Sequence, residues 1–80
     1  MVWNLLNKLK WTNRLDDCEI IILERGSPEN KKSIPGNKIT EIKRHYFYYK
    51  NGEEIFIPMH RVLEIKEKGK VVWKRKLKQA

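Results

Sequence analysis

Only one segment of this chain has the apolar spacing of an α-helix, and it lies at the N-terminus. Val2, Leu5, Leu6 and Leu9 follow one another at positions i, i+3, i+4 and i+7, which predicts a helix of about nine residues. A helix this short is not stable alone in water. It must therefore dock on the rest of the chain, and that part has to supply its packing surface from strands.

The rest of the chain predicts short strands separated by turns. Glu19 to Glu24 is an Ile-rich run typical of a strand buried on much of both faces. Asn51-Gly52 predicts a type I′ hairpin turn, and Pro58 should end a strand or lie at a sheet edge. The segment from Gly26 to Asn37 has two Pro and two Gly and is predicted to be a loop. Further β-prone runs are predicted at 39–43, 46–49, 54–57, 61–66 and 71–73.

These elements predict an α+β fold in which the N-terminal helix packs on a small, curled, mostly antiparallel sheet. The sheet would contain about five strands and could close into a small barrel. No internal repeat is evident. Residues 1–80 are expected to form a single domain, because 80 residues are too few for a TIM barrel or for two domains.

Positive charge is concentrated at the C-terminal end. The chain has 18 Lys and Arg against 10 Asp and Glu, a net charge of +8. From Lys66 to Lys78 there are seven positive residues and one negative, which leaves +2 for Met1 to Ile65. The basic C-terminal end, residues 66–80, favours an anionic partner such as RNA, or is a solvated terminus. It lacks the apolar helical face of a membrane-surface segment.

Several classes of protein are disfavoured. Cys18 is the only cysteine, so neither an intramolecular disulfide nor a cysteine-rich zinc site is expected. We interpret its thiol as inert and half-buried. A secretory signal and a bilayer-spanning run are missing from the sequence, which predicts a cytoplasmic protein. There is no Gly-rich phosphate loop and no metal-ligand spacing, so no cofactor and no metal are expected.

Cationic and aromatic side chains at strand ends are the remaining candidates for function. His60-Arg61 follows Pro58 at a corner, where both side chains could reach one site. An Arg fork matches the oxygens of a phosphate, and His can donate to one of them. The alternative is a structural His beside an exposed Arg. Tyr46, Tyr48 and Tyr49 could stack on bases, or belong to the core and a solvent-facing hairpin. Tyr46 and Tyr48 should face away from Phe47 and Tyr49, and one of these two faces is expected to be core.

The order and spacing of five segments resemble a family of small archaeal proteins described as the RNA cyclic group end recognition domain. These segments are Trp11-Thr12-Asn13-Arg14-Leu15-Asp16, Glu24-Arg25-Gly26, Ile34-Pro35-Gly36-Asn37-Lys38-Ile39, Ile57-Pro58-Met59-His60-Arg61-Val62 and Gly69-Lys70-Val71-Val72-Trp73-Lys74-Arg75. The resemblance covers about residues 2 to 75. Cys18 departs from the family pattern.

The resemblance implies a non-enzymatic module that binds single-stranded RNA 3′ ends carrying a 2′,3′-cyclic phosphate, in RNA processing or repair. Similar domains are fused to RNA end-processing modules, so RNA-processing enzymes are implied as further partners. The residues that the resemblance assigns to RNA or phosphate binding are His60, Arg61, Arg14, Arg25, Arg75, Trp11 and Lys74, with Trp73 beside them.

Two other functions stay open at this point. The first is an enzyme that opens the cyclic phosphate with His45 and His60 as an acid/base pair. It predicts both imidazoles in one cleft, within about 7 Å of each other, and an exposed His45 on the hairpin would contradict it. The second is a protein-interaction domain whose basic end binds an acidic partner.

Overall fold

The helix and most of the strands form where the apolar pattern predicts them. The computed structural model describes residues 2–75, so Lys76 and Lys78 of the basic end lie outside the described residues. Within that range there are one α-helix, seven strands and four short 3₁₀ turns. The elements are α1 (Val2–Trp11), β1 (Cys18–Leu23), β2 (Lys31–Pro35), β3 (Ile39–Ile42), β4 (Tyr46–Asn51), β5 (Glu53–Pro58), β6 (Val62–Glu67) and β7 (Lys70–Lys74).

The strands form two antiparallel sheets. One sheet has the order β2-β1-β6-β7 and the other has the order β3-β4-β5. The predicted α+β class and antiparallel pairing are therefore confirmed. The prediction of one curled sheet of about five strands is wrong, and over residues 2–75 the strands do not close into a barrel.

Strand β2 lies inside the segment that was predicted to be a loop. Ile34 pairs with Ile20 of β1 and is fully buried. The local Pro and Gly content predicts a loop. However, β1 pairs with β6 along one edge only, and its other edge can pair with the segment that follows β1 in the chain. Pairing with that edge is a tertiary effect that overrides a weak local preference. Pro35 is compatible with this strand because it lies at the end of an outer strand.

The type I′ turn expected at Asn51-Gly52 forms at a different hairpin. In the β4–β5 hairpin, Asn51 pairs with Glu53, and only Gly52 has a positive φ, of 79°. A type I′ turn needs two such residues, so the predicted turn type is wrong. Type I′ φ signs occur instead at Lys68 (51°) and Gly69 (82°), between β6 and β7.

The chain crosses between the sheets at two corners of nearly identical geometry. Each corner is an Ile-Pro strand end followed by a 3₁₀ turn, Gly36–Lys38 in one and Met59–Arg61 in the other. The φ and ψ angles of Pro35 are −62° and 134°, and those of Pro58 are −66° and 142°. This is a short structural repeat where the sequence predicted none. Pro58 ends the outer strand β5, as predicted.

The core is shared by α1 and both sheets. Leu6 and Leu9 of α1 are buried in one cluster with Ile20, Phe47 and their neighbours, which provides the docking that so short a helix requires. Phe47 and Tyr49 point inward, while Tyr46 and Tyr48 are only partly buried. The alternation predicted for β4 is confirmed. Among the described residues, no helix is long and apolar enough to cross a bilayer.

Cys18 is more buried than its sequence context predicts. The side chain belongs to the core, and its Sγ donates to the Arg14 carbonyl oxygen at 3.3 Å. Burial raises the pKa of this thiol, which disfavours the reactive thiolate. A structural role is consistent with both observations.

Candidate functional site

The corner between β5 and β6 presents an imidazole and a guanidinium within three residues. Pro58 ends β5, Met59–Arg61 forms a 3₁₀ turn, and β6 starts at Val62. Met59 is buried and anchors the turn, whereas His60 and Arg61 are exposed. Adjacent residues on a strand would point to opposite faces. The turn therefore allows both side chains to project from one end of the molecule.

The Arg75 side chain holds this corner by hydrogen bonds to two backbone carbonyl oxygens. Its Nε donates to the Val62 carbonyl oxygen at 2.8 Å, and its Nη2 donates to the Met59 carbonyl oxygen at 3.1 Å. Its backbone N–H donates to the Leu63 carbonyl oxygen at 2.8 Å. The guanidinium carbon lies 5.3 Å from the centre of the Trp73 ring, within cation–π range. Arg75 is thus a positioning residue for His60 and Arg61, with part of its donor fork already used.

We expect Arg75→Lys to loosen the corner even though it preserves the charge. An ammonium cannot reproduce the planar fork that reaches two carbonyl oxygens. Loss of one charge-assisted hydrogen bond should lower the free energy of unfolding by about 1.5 kcal/mol. Urea denaturation measures this change, with Lys74→Arg as the control on the neighbouring exposed position. A variant as stable as the wild type would show that these two bonds do not hold the corner.

Two clefts flank the corner, and His60 lines both. The Trp73 cleft has a volume of about 330 Å³ and is lined by Val2, Trp3, Arg44, His45, Met59, His60, Trp73 and Arg75. The Arg25 cleft has a volume of about 450 Å³ and is lined by Leu23, Glu24, Arg25, His60 and Arg61. The fold thus brings together four of the sequence-predicted residues, namely His60, Arg61, Arg25 and Arg75.

The β3–β4 connection supplies the other wall of the Trp73 cleft. Lys43 N–H donates to the Tyr46 carbonyl oxygen at 2.8 Å and closes the turn, and Arg44 and His45 lie exposed within it. The carbonyl oxygen of His45 accepts the Met59 N–H at 2.9 Å. This bond ties the turn to the His60 corner. Both histidines of the chain therefore line one cleft.

Sequence reasoning missed Arg44 and Trp3 as lining residues. The available signal for Arg44 was the cationic run Lys43-Arg44-His45 directly before a strand, which parallels His60-Arg61 before β6. Trp3 carries no such signal, because only the docking of α1 brings it to the cleft. Over residues 2–75, no three His, Cys, Asp or Glu side chains are grouped as metal ligands.

Arg14 and Trp11 lie at the opposite end of the larger sheet. Arg14 forms a two-pronged ion pair with Glu67, in which Nε donates to Oε2 at 2.6 Å and Nη2 donates to Oε1. Glu67 ends β6, whereas the corner precedes its first residue. Five residues of extended chain separate the two ends by roughly 16 Å. Arg14 and Trp11, which is 85% exposed, therefore cannot contact the same phosphate as His60.

Lys74 occupies a third position. It is exposed on the outer strand β7 opposite Glu64, and it directly precedes Arg75. The assignment of Arg14, Trp11 and Lys74 to RNA binding stays a prediction, and it would require RNA that extends beyond the clefts.

Comparison with known proteins assigns the chain to a family. The family model described as the MJ1316 RNA cyclic group end recognition domain matches residues 2–75. The chain belongs to this family. The match spans the corner, both clefts and the Arg14–Glu67 pair, so all of these features lie within the MJ1316-type domain.

Curated relatives support the same assignment. The UPF0248 protein MJ1316 of Methanocaldococcus jannaschii is 39% identical over 80 residues, covering 95% of each chain. A UPF0248 protein of Saccharolobus islandicus is 36% identical over 74 residues, covering 88% of this chain and 92% of its own. One of Saccharolobus solfataricus is 35% identical and covers 88% and 90%. No solved structure matches this MJ1316-type domain.

The Arg14–Glu67 pair makes the stability of this MJ1316-type domain depend on pH. The hydrogen bond from Arg14 lowers the pKa of Glu67 below its ordinary value. A carboxyl with a lowered folded pKa contributes stability above its unfolded pKa, and this contribution is lost as pH falls through the folded pKa. We therefore expect Glu67→Gln to be less stable than wild type near neutral pH, and the difference to vanish in acid.

Urea denaturation over a pH series measures that difference. Glu53→Gln, at the exposed first residue of β5, is the matched control and should follow the wild-type curve. A Glu67→Gln deficit that stayed constant through the acidic range would contradict an ionic origin.

Proposed function

We propose that this chain is a binding module for RNA 3′ ends that carry a 2′,3′-cyclic phosphate, acting in RNA end processing or repair. The observation that supports it most directly is the exposed His60–Arg61 corner, which lies between two clefts and is held by hydrogen bonds from the Arg75 side chain to backbone carbonyl oxygens. The family description, RNA cyclic group end recognition, agrees with this proposal.

The chemistry of the ligand suits the residues at the corner. A cyclic phosphate is a monoanion with two non-bridging oxygens and no free hydroxyl at the 2′ or 3′ position. The Arg61 guanidinium could bind both oxygens as a fork, and His60 could add a third donor. Arg25 and Arg44 would add positive charge at the two cleft walls. Discrimination between the cyclic phosphate and an open phosphate must then come from shape and from phosphate contacts.

A fixed backbone at the corner supports selectivity. The corner is fixed by the Arg75 side chain on one side and by the Met59–His45 backbone bond on the other. A backbone that is already in place loses less conformational entropy on binding. The imidazole and the guanidinium then start from fixed backbone positions, which limits the phosphate shapes that both can bind at once.

Lysines outside the corner would bind the RNA backbone without reading its end. Lys74 is exposed close to the corner, and the net charge of the chain is +8. Such contacts contribute salt-sensitive affinity and no end specificity.

Fluorescence anisotropy on one short RNA with three different 3′ ends tests the proposal. The ends are a 2′,3′-cyclic phosphate, a linear phosphate and a hydroxyl, each measured at two salt concentrations. We expect a preference for the cyclic end that survives added salt. Equal, salt-sensitive binding of all three would refute end recognition. Affinity for RNA no better than that for heparin would favour a protein-interaction domain.

A second candidate function is hydrolysis of the cyclic phosphate, because His45 and His60 line the same cleft. The exposure of His45 in the β3–β4 connection counts against it. One imidazole would take a proton from water as the water oxygen bonds to phosphorus. The other would protonate the 2′- or 3′-oxygen as its bond to phosphorus breaks, leaving a phosphate monoester and a free hydroxyl. Imidazole suits both roles near neutral pH.

Analysis of the RNA after incubation separates hydrolysis from binding. Conversion of the cyclic end to a monoester that is lost in both His45→Ala and His60→Ala would favour the enzyme. An unchanged cyclic end at saturating protein would leave the binding module as the function.

A further inference from the structure

Three aromatic rings cluster on the outer face of the smaller sheet. They belong to Tyr46 and Tyr48 of β4 and Phe56 of β5, and we call them the aromatic face. Their ring centres lie 5.0 Å apart for Tyr46 and Phe56, 5.6 Å for Tyr46 and Tyr48, and 5.7 Å for Tyr48 and Phe56. The three rings therefore form one continuous aromatic surface.

The aromatic face lies on the opposite side of the sheet from the core. Phe47 and Tyr49, which alternate with Tyr46 and Tyr48, are the β4 residues that fill the core. Phe56 is 50% exposed. Tyr48 and Phe56 are direct cross-strand partners, and such a pair stabilises a sheet. That role accounts for the pairing of the two rings but not for a three-ring surface that is partly exposed on the outer side of the sheet.

The aromatic face begins at the edge of the Trp73 cleft on both of its strands. Tyr46 directly follows His45, which lines the cleft. Its cross-strand partner is Pro58, which directly precedes Met59 and His60. A chain leaving the cleft over this edge would therefore meet the Tyr46 ring first and then Tyr48 and Phe56.

Positive charge is concentrated at one end of the aromatic face. At the cleft end lie Arg44, His45 and His60. At the other end, Glu54 accepts a hydrogen bond from the Thr40 hydroxyl at 3.0 Å and lies opposite Lys50 of β4, so the two charges offset each other. A phosphate is therefore favoured more at the cleft end than at the turn end.

We propose that the aromatic face stacks the last one or two bases of a single-stranded RNA whose terminal phosphate is bound at the His60–Arg61 corner and whose chain leaves over the Trp73 cleft. The inference rests on the proposed function for the position of the RNA end. Aromatic side chains on an open sheet stack two or three bases in other RNA-binding folds, and stacking is sequence-tolerant because every base has a π-face. The site would thus take any short 3′ end and require that its bases be unpaired.

A cycle of protein and RNA changes tests the stacking. The probe is a trinucleotide with a 2′,3′-cyclic phosphate, compared with the same RNA whose bases are replaced by abasic sites. We expect base removal to weaken wild-type binding by about 5- to 150-fold for each stacked base. Phe56→Leu should weaken binding of the intact RNA similarly and leave little further loss on base removal. Val72→Ala, a matched change at an exposed apolar residue on β7 (42% exposed), should behave as wild type.

Each outcome decides a separate point. Full sensitivity to base removal in both Phe56→Leu and Tyr48→Leu, each with wild-type thermal stability, would overturn the stacking surface while leaving end recognition intact. In another outcome, the wild type binds all three 3′ ends equally, and affinity is lost on base removal only when Phe56 is present. That result would support stacking and refute the proposed function. No RNA binding by the wild type would overturn both and indicate a protein partner for this face.

Discussion

Arg61→Ala is expected to weaken binding of the cyclic-phosphate RNA end by about 1.5–3 kcal/mol, roughly 10- to 150-fold. Arg61 is exposed on a corner whose backbone is held by Arg75. Truncation should therefore remove the guanidinium without moving the corner. The loss should be smaller for a 3′-hydroxyl end, which offers no terminal phosphate. Anisotropy titrations with both ends measure the two losses.

Two charge-matched controls separate end recognition from general attraction. Lys38→Ala removes an exposed cation at the other Ile-Pro corner and should have little effect. Lys74→Ala should weaken all RNAs alike and reduce the salt slope by about one phosphate contact. If Arg61→Ala behaved like Lys74→Ala, Arg61 would be a backbone contact and the corner would not read the end.

Gly36→Ala is expected to lower the free energy of unfolding by about 3 kcal/mol, near the top of the range for overpacked sites. A Cβ at this position would lie 1.9 Å from the Leu15 carbonyl oxygen and 3.1 Å from that of Cys18. Both obstacles are backbone atoms, which cannot move aside by changing rotamer. In a domain this small the loss corresponds to a fall in melting temperature of roughly 12–24 °C.

Gly52→Asn is the matched control. Gly52 has open space around its Cα and a φ of +79°, and Asn tolerates that region better than other side chains. We expect a loss well below that of Gly36→Ala. Gly36 is not among the glycines with positive φ, so a Gly36→Ala variant of wild-type stability would mean that the Gly36–Lys38 turn can move away from the Leu15 backbone at no cost.

The site was partly predictable because its central pair is adjacent in sequence. His60-Arg61 after Pro58 is a local pattern, and the structure confirms the corner that it predicts. Arg75 was identified as a candidate, but its side chain holds the corner. Val62 and Met59, whose carbonyl oxygens Arg75 binds, lie 13 and 16 positions before it in the sequence. These hydrogen bonds depend on how β6 and β7 pair, which no local sequence pattern encodes. The contacts of all these residues with RNA stay predictions.

The strands divide in the same way. β1 and β4 carry strong local signals, Ile-rich in one case and alternating aromatic in the other, and both form where predicted. β2 has only Ile34 as a buried anchor and forms because β1 leaves an edge to be paired. The hairpin at Gly52 did not adopt the expected turn, because its register pairs Asn51 with Glu53.

By itself, the sequence determined the N-terminal helix, the antiparallel α+β class, the excess of positive charge and the cationic corner after Pro58. Each of these is encoded within a few consecutive residues through periodicity, charge or the fixed φ of proline. Only the tertiary structure decided that seven strands form two sheets, that Arg14 pairs with Glu67 far from the corner, and that Arg44, His45 and Trp3 meet His60 at one cleft. These arrangements depend on pairing between distant segments, whose free energy comes from burying a shared core and not from any local preference.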